Sequence, residues 1–163
     1  MSERPPEMQL CLLSQPRLLG SVRALIETLA ARIGFCQRGC GELVLAVDEV
    51  LTNIIRHGYE GAEDGRIWIS FWSLQEPSVG IRVAIEDHQQ VFDPSEFPER
   101  DLEEVRPGGL GLSLLRTLTR SCRHEVRPEG GMRVVIEKFC EDVGDSEDPE
   151  SGGESAGTEG MHP

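Results

Sequence analysis

Long hydrophobic runs are missing from this chain of 163 residues. No stretch approaches the roughly 18 apolar residues that read as a membrane span. The N-terminus carries no cleavable signal pattern, so the expectation is a soluble, cytoplasmic protein. Aromatic residues make up only 5% of the chain against 38% hydrophobic residues in all, which suits one small α/β or α+β domain with a real core, but not two. Positive charge is also scarce, with 16 Lys and Arg against 29 Asp and Glu. Direct nucleic-acid binding is therefore not expected, because neutralising phosphates needs clustered cations.

The net charge of −13 is unevenly placed. Residues 141–163 hold eight acids and no Lys or Arg, whereas the first 140 hold 21 acids against 16 bases. The acidic stretch is rich in Gly and Ser and nearly free of large apolar groups, so it cannot offset its own ordering entropy. The expected division is a folded domain at 1–140 and an acidic disordered tail at 141–163. No disulfide framework is present: the cysteines are five, an odd number, at Cys11, Cys36, Cys40, Cys122 and Cys140. Cys36 and Cys40 could share a helix face, but Phe35 and Gly39 supply no further ligand, so free thiols are expected rather than a metal site. Neither glycine-rich nucleotide template occurs, and no internal repeat is found.

The pattern that is present alternates short strands with amphipathic helices. Met8, Leu10 and Leu12 alternate as a first strand. Leu18, Val22, Leu25, Ile26, Leu29 and Ile33 mark a helix ending near Gly34. A second helix runs from Glu42 to His57 and stops at Gly58. Strands follow at 67–74 and 80–87, then a charged connection at 92–107 with Pro94, Pro98 and Pro107. A glycine turn at 108–111 opens the helical run Leu112–Leu118. Strands at 121–127 and 132–139, joined by Pro128-Glu129-Gly130-Gly131, close the domain as a hairpin. The order βααββαββ implies an α+β fold, a two-layer sandwich with helices on one face of a mixed, mainly antiparallel sheet.

Three features point to chemistry. In the second helix Val50, Leu43, Ile54, Val47, Leu51, Val44 and Ile55 fall on one arc of roughly 140°. Glu49, Asn53 and His57 follow one another at i, i+4 and i+8 on the opposite side. A side-chain amide oxygen can ligate a hard Mg²⁺ while a neighbouring carboxylate takes a proton from a nucleophile, although a solvated polar face has the same spacing. Asp87 shares parity with the apolar row Ile81, Val83 and Ile85, so its carboxylate needs a donor from the protein or from a ligand. The Gly108-Gly109-Leu110-Gly111 turn can bring bare amides and a helix N-terminus against phosphate without basic residues.

Together these motifs resemble the GHKL superfamily of ATPases. Ala46-Val47-Asp48-Glu49-Val50-Leu51-Thr52-Asn53 with His57-Gly58-Tyr59 resembles the N-box of the bacterial anti-sigma factor serine kinases. Ile85-Glu86-Asp87 with Phe92-Asp93-Pro94, Gly108-Gly109-Leu110-Gly111-Leu112 and the hairpin ending Gly130-Gly131-Met132-Arg133-Val134-Val135-Ile136 are similar to the later motifs. The resemblance spans about residues 8–139 and implies the Bergerat type of ATP-binding fold, with ATP and Mg²⁺ as cofactors. It implies Glu49 as general base, Asn53 as Mg²⁺ ligand and Asp87 as acceptor of the adenine amine. It further implies Phe92 in the nucleotide site, phosphate binding at Gly108, Gly109, Leu110, Gly111 and Leu112, and a lid at 94–107. The implied partners are a sigma factor or similar regulator and a small anti-anti-sigma antagonist, with a homodimer interface on the first helix left open. The family's second motif normally begins Asp-x-Gly, whereas Gln89 and Val91 stand where its glycines are found. A non-catalytic or weakly ATP-binding partner-switch module is thus the alternative.

Overall fold

The computed structural model describes residues 4–88 and 110–142, with backbone alone at 110–113. Its elements are β1 (Met8–Leu13), α1 (Leu19–Ile33), α2 (Gln37–Asn53), β2 (Arg66–Leu74), β3 (Gly80–Glu86), α3 (Leu110–Leu118), β4 (Ser121–Val126) and β5 (Met132–Phe139). The strands form one sheet in the order β1-β2-β3-β5-β4. All four pairings are antiparallel. The expected mixed sheet is narrowed to this pattern for a topological reason. A crossover through α3 could set β4 parallel beside β3, but β5 returns through the hairpin and takes that position, leaving β4 at the edge.

Period-two patterning sets the two faces of the sheet. Ile67, Ile69 and Phe71 of β2, Ile81, Val83 and Ile85 of β3, and Val134 and Ile136 of β5 join the buried side chains of α1 and α2 and Leu115 of α3 in one core. The opposite face is an ionic lattice with one small apolar island, Trp72, Ala84 and Val135. There Arg82 Nε donates to Glu137 Oε1 at 2.7 Å, and Ser121 Oγ donates to Glu137 Oε2 at 3.1 Å. Arg133 lies 3.3 Å from Glu86 and 3.7 Å from Glu125.

The helices bury what their spacing predicts. α1 covers the core with Leu19, Val22, Ile26 and Ala30 and ends at Gly34, whose φ of 118° lets its amide reach back to the Ala30 and Ala31 carbonyls. Leu25, Leu29 and Ile33 of α1 are half-buried, and its exposed side mixes small and charged residues, including Ser21, Arg23, Ala24, Glu27, Thr28 and Arg32. α2 is capped by Cys36, whose sulfur accepts from the Gly39 amide at 3.4 Å, and buries Leu43, Ala46, Val47, Val50 and Leu51. Arg23 of α1 clamps Asp48 of α2 with two hydrogen bonds, 2.7 and 3.0 Å.

One lysine occurs in the chain, Lys138, and its side chain is only 1% exposed. From β5 its Nζ donates to Glu42 of α2 at 2.9 Å and to the carbonyl of Leu118, the last residue of α3, at 2.8 Å. A cation at a helix C-terminus meets the negative end of the dipole and a carbonyl without an intrahelical partner. Burial pushes the Glu42 carboxyl up, but the hydrogen bonds from Lys138 and Arg38 outweigh it, so the group titrates below its ordinary value.

Removing either partner should be costly. Lys138→Ala is expected to lower stability by about 3 kcal/mol in urea denaturation, because it leaves half-buried Glu42 with only Arg38 as partner and frees the end of α3. A depressed carboxylate stabilises the fold above its unfolded pKa, near 4.5, and that contribution is lost as pH falls through the lower folded value. Glu42→Gln should therefore flatten the acid limb of the stability curve below about pH 4.5 while costing stability at neutral pH. An unchanged acid limb would show that the pair does not carry it.

Candidate functional site

The regular α-helix of α2 ends at Asn53 and continues as a π turn, Ile54–Gly58. Such widened turns often mark functional positions, and no local sequence signal announces this one. The expected α-helix through His57 is thereby shortened. Glu49 and Asn53 stay one α-turn apart and meet: Asn53 Nδ2 donates to Glu49 Oε1 at 3.1 Å. A carboxylate only accepts, so this contact commits the amide nitrogen and turns the amide oxygen into the group left for a cation. Asn53 is exposed and Glu49 is half-buried, so the pair is reachable from solvent. That donor set fits a hard divalent ion on the amide side and a proton acceptor on the carboxylate side. His57 is exposed, whereas Tyr59 turns inward and is buried.

Tyr59 carries the end of α2 to the base of β3. Its hydroxyl donates to the Arg66 carbonyl at 2.5 Å, and a Cβ on Gly65 would fall 2.2 Å from its ring. Burial raises the phenol above its ordinary value; the backbone of His88 pulls against this, and the nearby charge of Asp87 adds to it. The N-box helix and the Asp87 segment are thus in contact through one tyrosine.

Asp87 follows the last residue of β3 and is 4% exposed. The donor that the sequence demands is supplied in part by the protein: the Met132 amide donates to Asp87 Oδ1 at 3.1 Å. A carboxylate has about four acceptor sites, so this one bond does not by itself saturate it. The Asp87 amide donates to the Met132 carbonyl at 3.1 Å, and Arg127 Nη1 donates to the Asp87 carbonyl at 3.0 Å. Gly131, at φ 89°, lies so close that a Cβ there would sit 2.2 Å from the Asp87 oxygen. His88 packs against Trp68 in a tilted contact, with ring centroids 4.3 Å apart and planes inclined at 44°.

Of the remaining expected site residues, Leu110, Gly111 and Leu112 form the first turn of α3, which starts two residues earlier than the periodicity indicates. Amides in a first helical turn have no intrahelical partner and suit an anion. Phe92, Gly108, Gly109, the expected lid at 94–107, and Gln89 and Val91 lie outside the described residues. Sequence reasoning missed Arg127, Met132 and Lys138 as determinants of the site. Their roles depend on contacts between residues 20 to 96 positions apart. The double glycine at 130–131 was a usable signal, since the second glycine is required by its neighbour as well as by the turn. Among the described residues no group of His, Cys, Asp and Glu could by itself hold a metal ion, and no helix is long and apolar enough to cross a membrane.

These features agree with known proteins. Residues 12–138 match the histidine kinase-like ATPase domain family. The chain belongs to that family. Curated relatives include the serine-protein kinase RsbW of Listeria innocua, 30% identical over 146 residues that cover 85% of this chain and 90% of the relative. The RsbW of Bacillus subtilis is 29% identical over 132 residues, covering 77% and 81%. A crystal structure of the RsbU and RsbW domains of a Mycobacterium tuberculosis protein superposes with a TM-score of 0.58 at 21% identity, and supports the fold. The match covers 83% of this chain and 32% of that longer chain.

The packing of Gly131 on Asp87 makes a direct test. Gly131→Ala adds a methyl at a positive φ and against a backbone oxygen, so it should cost roughly 1–3 kcal/mol in thermal or urea unfolding. Gly130→Ala has the strained φ but open space and should cost about 1 kcal/mol. Equal losses for the two would refute the close approach.

Proposed function

We propose that this ATPase domain is an ATP-dependent protein-serine kinase that also acts as an anti-sigma-type switch. The observation that carries the reading is the solvent-reachable Glu49–Asn53 pair at the end of α2, in a chain whose curated relatives are serine-protein kinases. Glu49 accepts the proton of a serine hydroxyl on a small antagonist protein. The serine oxygen bonds to the γ-phosphorus, the bond to the β-phosphate oxygen breaks, and ADP leaves. Asn53 would hold Mg²⁺, which would supply positive charge beside the phosphates. Phosphoryl transfer of this kind is mostly positioning and electrostatics, so few protein groups suffice.

Asp87 accepts from the adenine amine, Phe92 contributes to the same pocket, and the amides from Gly108 to Leu112 bind phosphate oxygens. One surface near the lid takes either a sigma factor or the antagonist. A new phosphate on the antagonist is repelled from so acidic a chain, so phosphorylation releases it and frees the surface for the sigma factor. Supporting this reading are the family, the position of Asp87 at the strand end, and the start of α3 at Leu110. The cytoplasm is the compartment where such partners meet.

Transfer of labelled γ-phosphate to a co-purifying antagonist domain tests the reading. Glu49→Gln should reduce the transfer rate by about 10²–10⁴-fold, the range for losing a general base, with ATP affinity changed by less than about threefold. Absence of transfer to any such domain would remove the kinase assignment. Calorimetry with Mg-ATP that found no binding would favour the interaction-module alternative suggested by Gln89 and Val91.

A further inference from the structure

We infer that Arg127 is the positioning residue of the base pocket: it fixes Asp87 from outside the pocket and so sets discrimination between adenine and guanine nucleotides. The inference rests on the reading of Asp87 as the base anchor and adds the device that holds it there.

Asp87 lies one residue beyond the last ladder position of β3, where the sheet alone no longer fixes it. The β4–β5 hairpin takes over. Met132 grips Asp87 twice, through its carbonyl to the Asp87 amide and through its amide to Oδ1, each at 3.1 Å. Gly131 admits the Asp87 carbonyl where any side chain would exclude it. That carbonyl then receives Arg127 Nη1 at 3.0 Å.

Arg127 is itself held at both ends. Its amide donates to the Gly131 carbonyl at 3.0 Å, and its carbonyl accepts from Gly130 at 3.0 Å, closing the turn. Its Nη2 lies 3.6 Å from Glu86 Oε2, and the side chain is 17% exposed. The planar guanidinium thus spans the Asp87 carbonyl and the Glu86 carboxylate at once, which the single ammonium of a lysine does not do with fixed geometry. Together with Glu86, Glu125 and Arg133 it lines a hollow of about 260 Å³ beside the ionic face of the sheet.

The chemistry follows from what Asp87 must distinguish. Adenine presents an amine donor to the carboxylate, whereas guanine presents a carbonyl oxygen that the carboxylate repels. This contrast operates only if the carboxylate stays within about 0.5 Å of its place. Releasing the Asp87 carbonyl lets the residue swing, weakening the attraction and the repulsion together. Arg127 therefore acts on selectivity, while the Glu49–Asn53 pair on α2 is left as it is.

The full chain carrying Arg127→Ala is compared with the wild type by ATP and GTP titration and by amide hydrogen exchange. The ATP Kd should rise about tenfold and the preference for ATP over GTP should fall about tenfold, the scale of losing one hydrogen bond from a charged donor. Exchange at the Asp87 and Met132 amides should quicken about tenfold, with α1 unchanged, and the transfer rate at saturating ATP should stay within about twofold. Arg127→Lys should restore only part of the selectivity. Unchanged exchange at Asp87 and Met132, or equal losses of ATP and GTP affinity, would overturn the role of Arg127. If instead Asp87→Ala kept the full preference for ATP, the base reading itself would fall and this role with it. Dependence on Asp87 with an unaffected Arg127→Ala would overturn the role of Arg127 alone.

Discussion

The buried ammonium of Lys138 is the constraint on which the layout of the site depends. It is the only lysine of the chain, and it is buried where α2, α3 and β5 converge. Desolvating an ammonium costs several kcal/mol, so it is tolerated only where its protons are well partnered. Glu42 and the Leu118 carbonyl meet that demand, and in doing so they tie the beginning of α2 to the end of α3. The candidate site groups lie on these same helices. Asn53 ends α2, and Leu110, Gly111 and Leu112 open α3. A wrong relative placement of the two helices would part Lys138 from one partner, so the ion pair selects among packings that the aliphatic core alone would accept.

The two faces of the sheet serve different ends. The helix side is almost wholly aliphatic and adapts to the helices by packing. The opposite face carries Arg82, Glu137, Arg123, Glu86, Arg133 and Glu125 in alternating sign. Exposed pairs of this kind add little stability each, but like charges set opposite one another would oppose a shifted register. Asp87 lies at the junction of the two regimes. Its side chain belongs to the buried side by parity, while its backbone is held by Arg127 from the ionic side. A buried carboxylate is therefore fixed at the rim of a greasy layer by a cation that stays on the ionic side of the sheet.

Much of this was legible in the sequence because it depends on neighbours. Alternation located every strand to within one or two residues, and the apolar arc of α2 predicted its buried side, with Val44 half-buried at the margin. Glu49 and Asn53 were visible because i, i+4 is a local relation. The π turn was not, since an altered hydrogen-bond register leaves no compositional mark. Nor was the all-antiparallel order, which depends on β5 rather than β4 taking the place beside β3. Asp87 could be identified as needing a donor, but not that Met132, 45 residues on, would supply one.

The exposure of the site residues carries a functional argument of its own. A hydrolase that acts on water benefits from enclosing its base, since enclosure strengthens every electrostatic interaction within. Glu49 and Asn53 instead lie on the outward side of α2, with Asn53 exposed, whereas Asp87 is buried. On the proposed reading, Asp87 would hold the nucleobase in a fixed, dry setting, while among the described residues the Glu49–Asn53 end is the more exposed. An acceptor hydroxyl on another protein could reach a base exposed in this way and exclude water as it docks. A burial gradient of this kind favours a protein acceptor over a self-contained ATPase, and it makes the docked partner part of the catalytic environment.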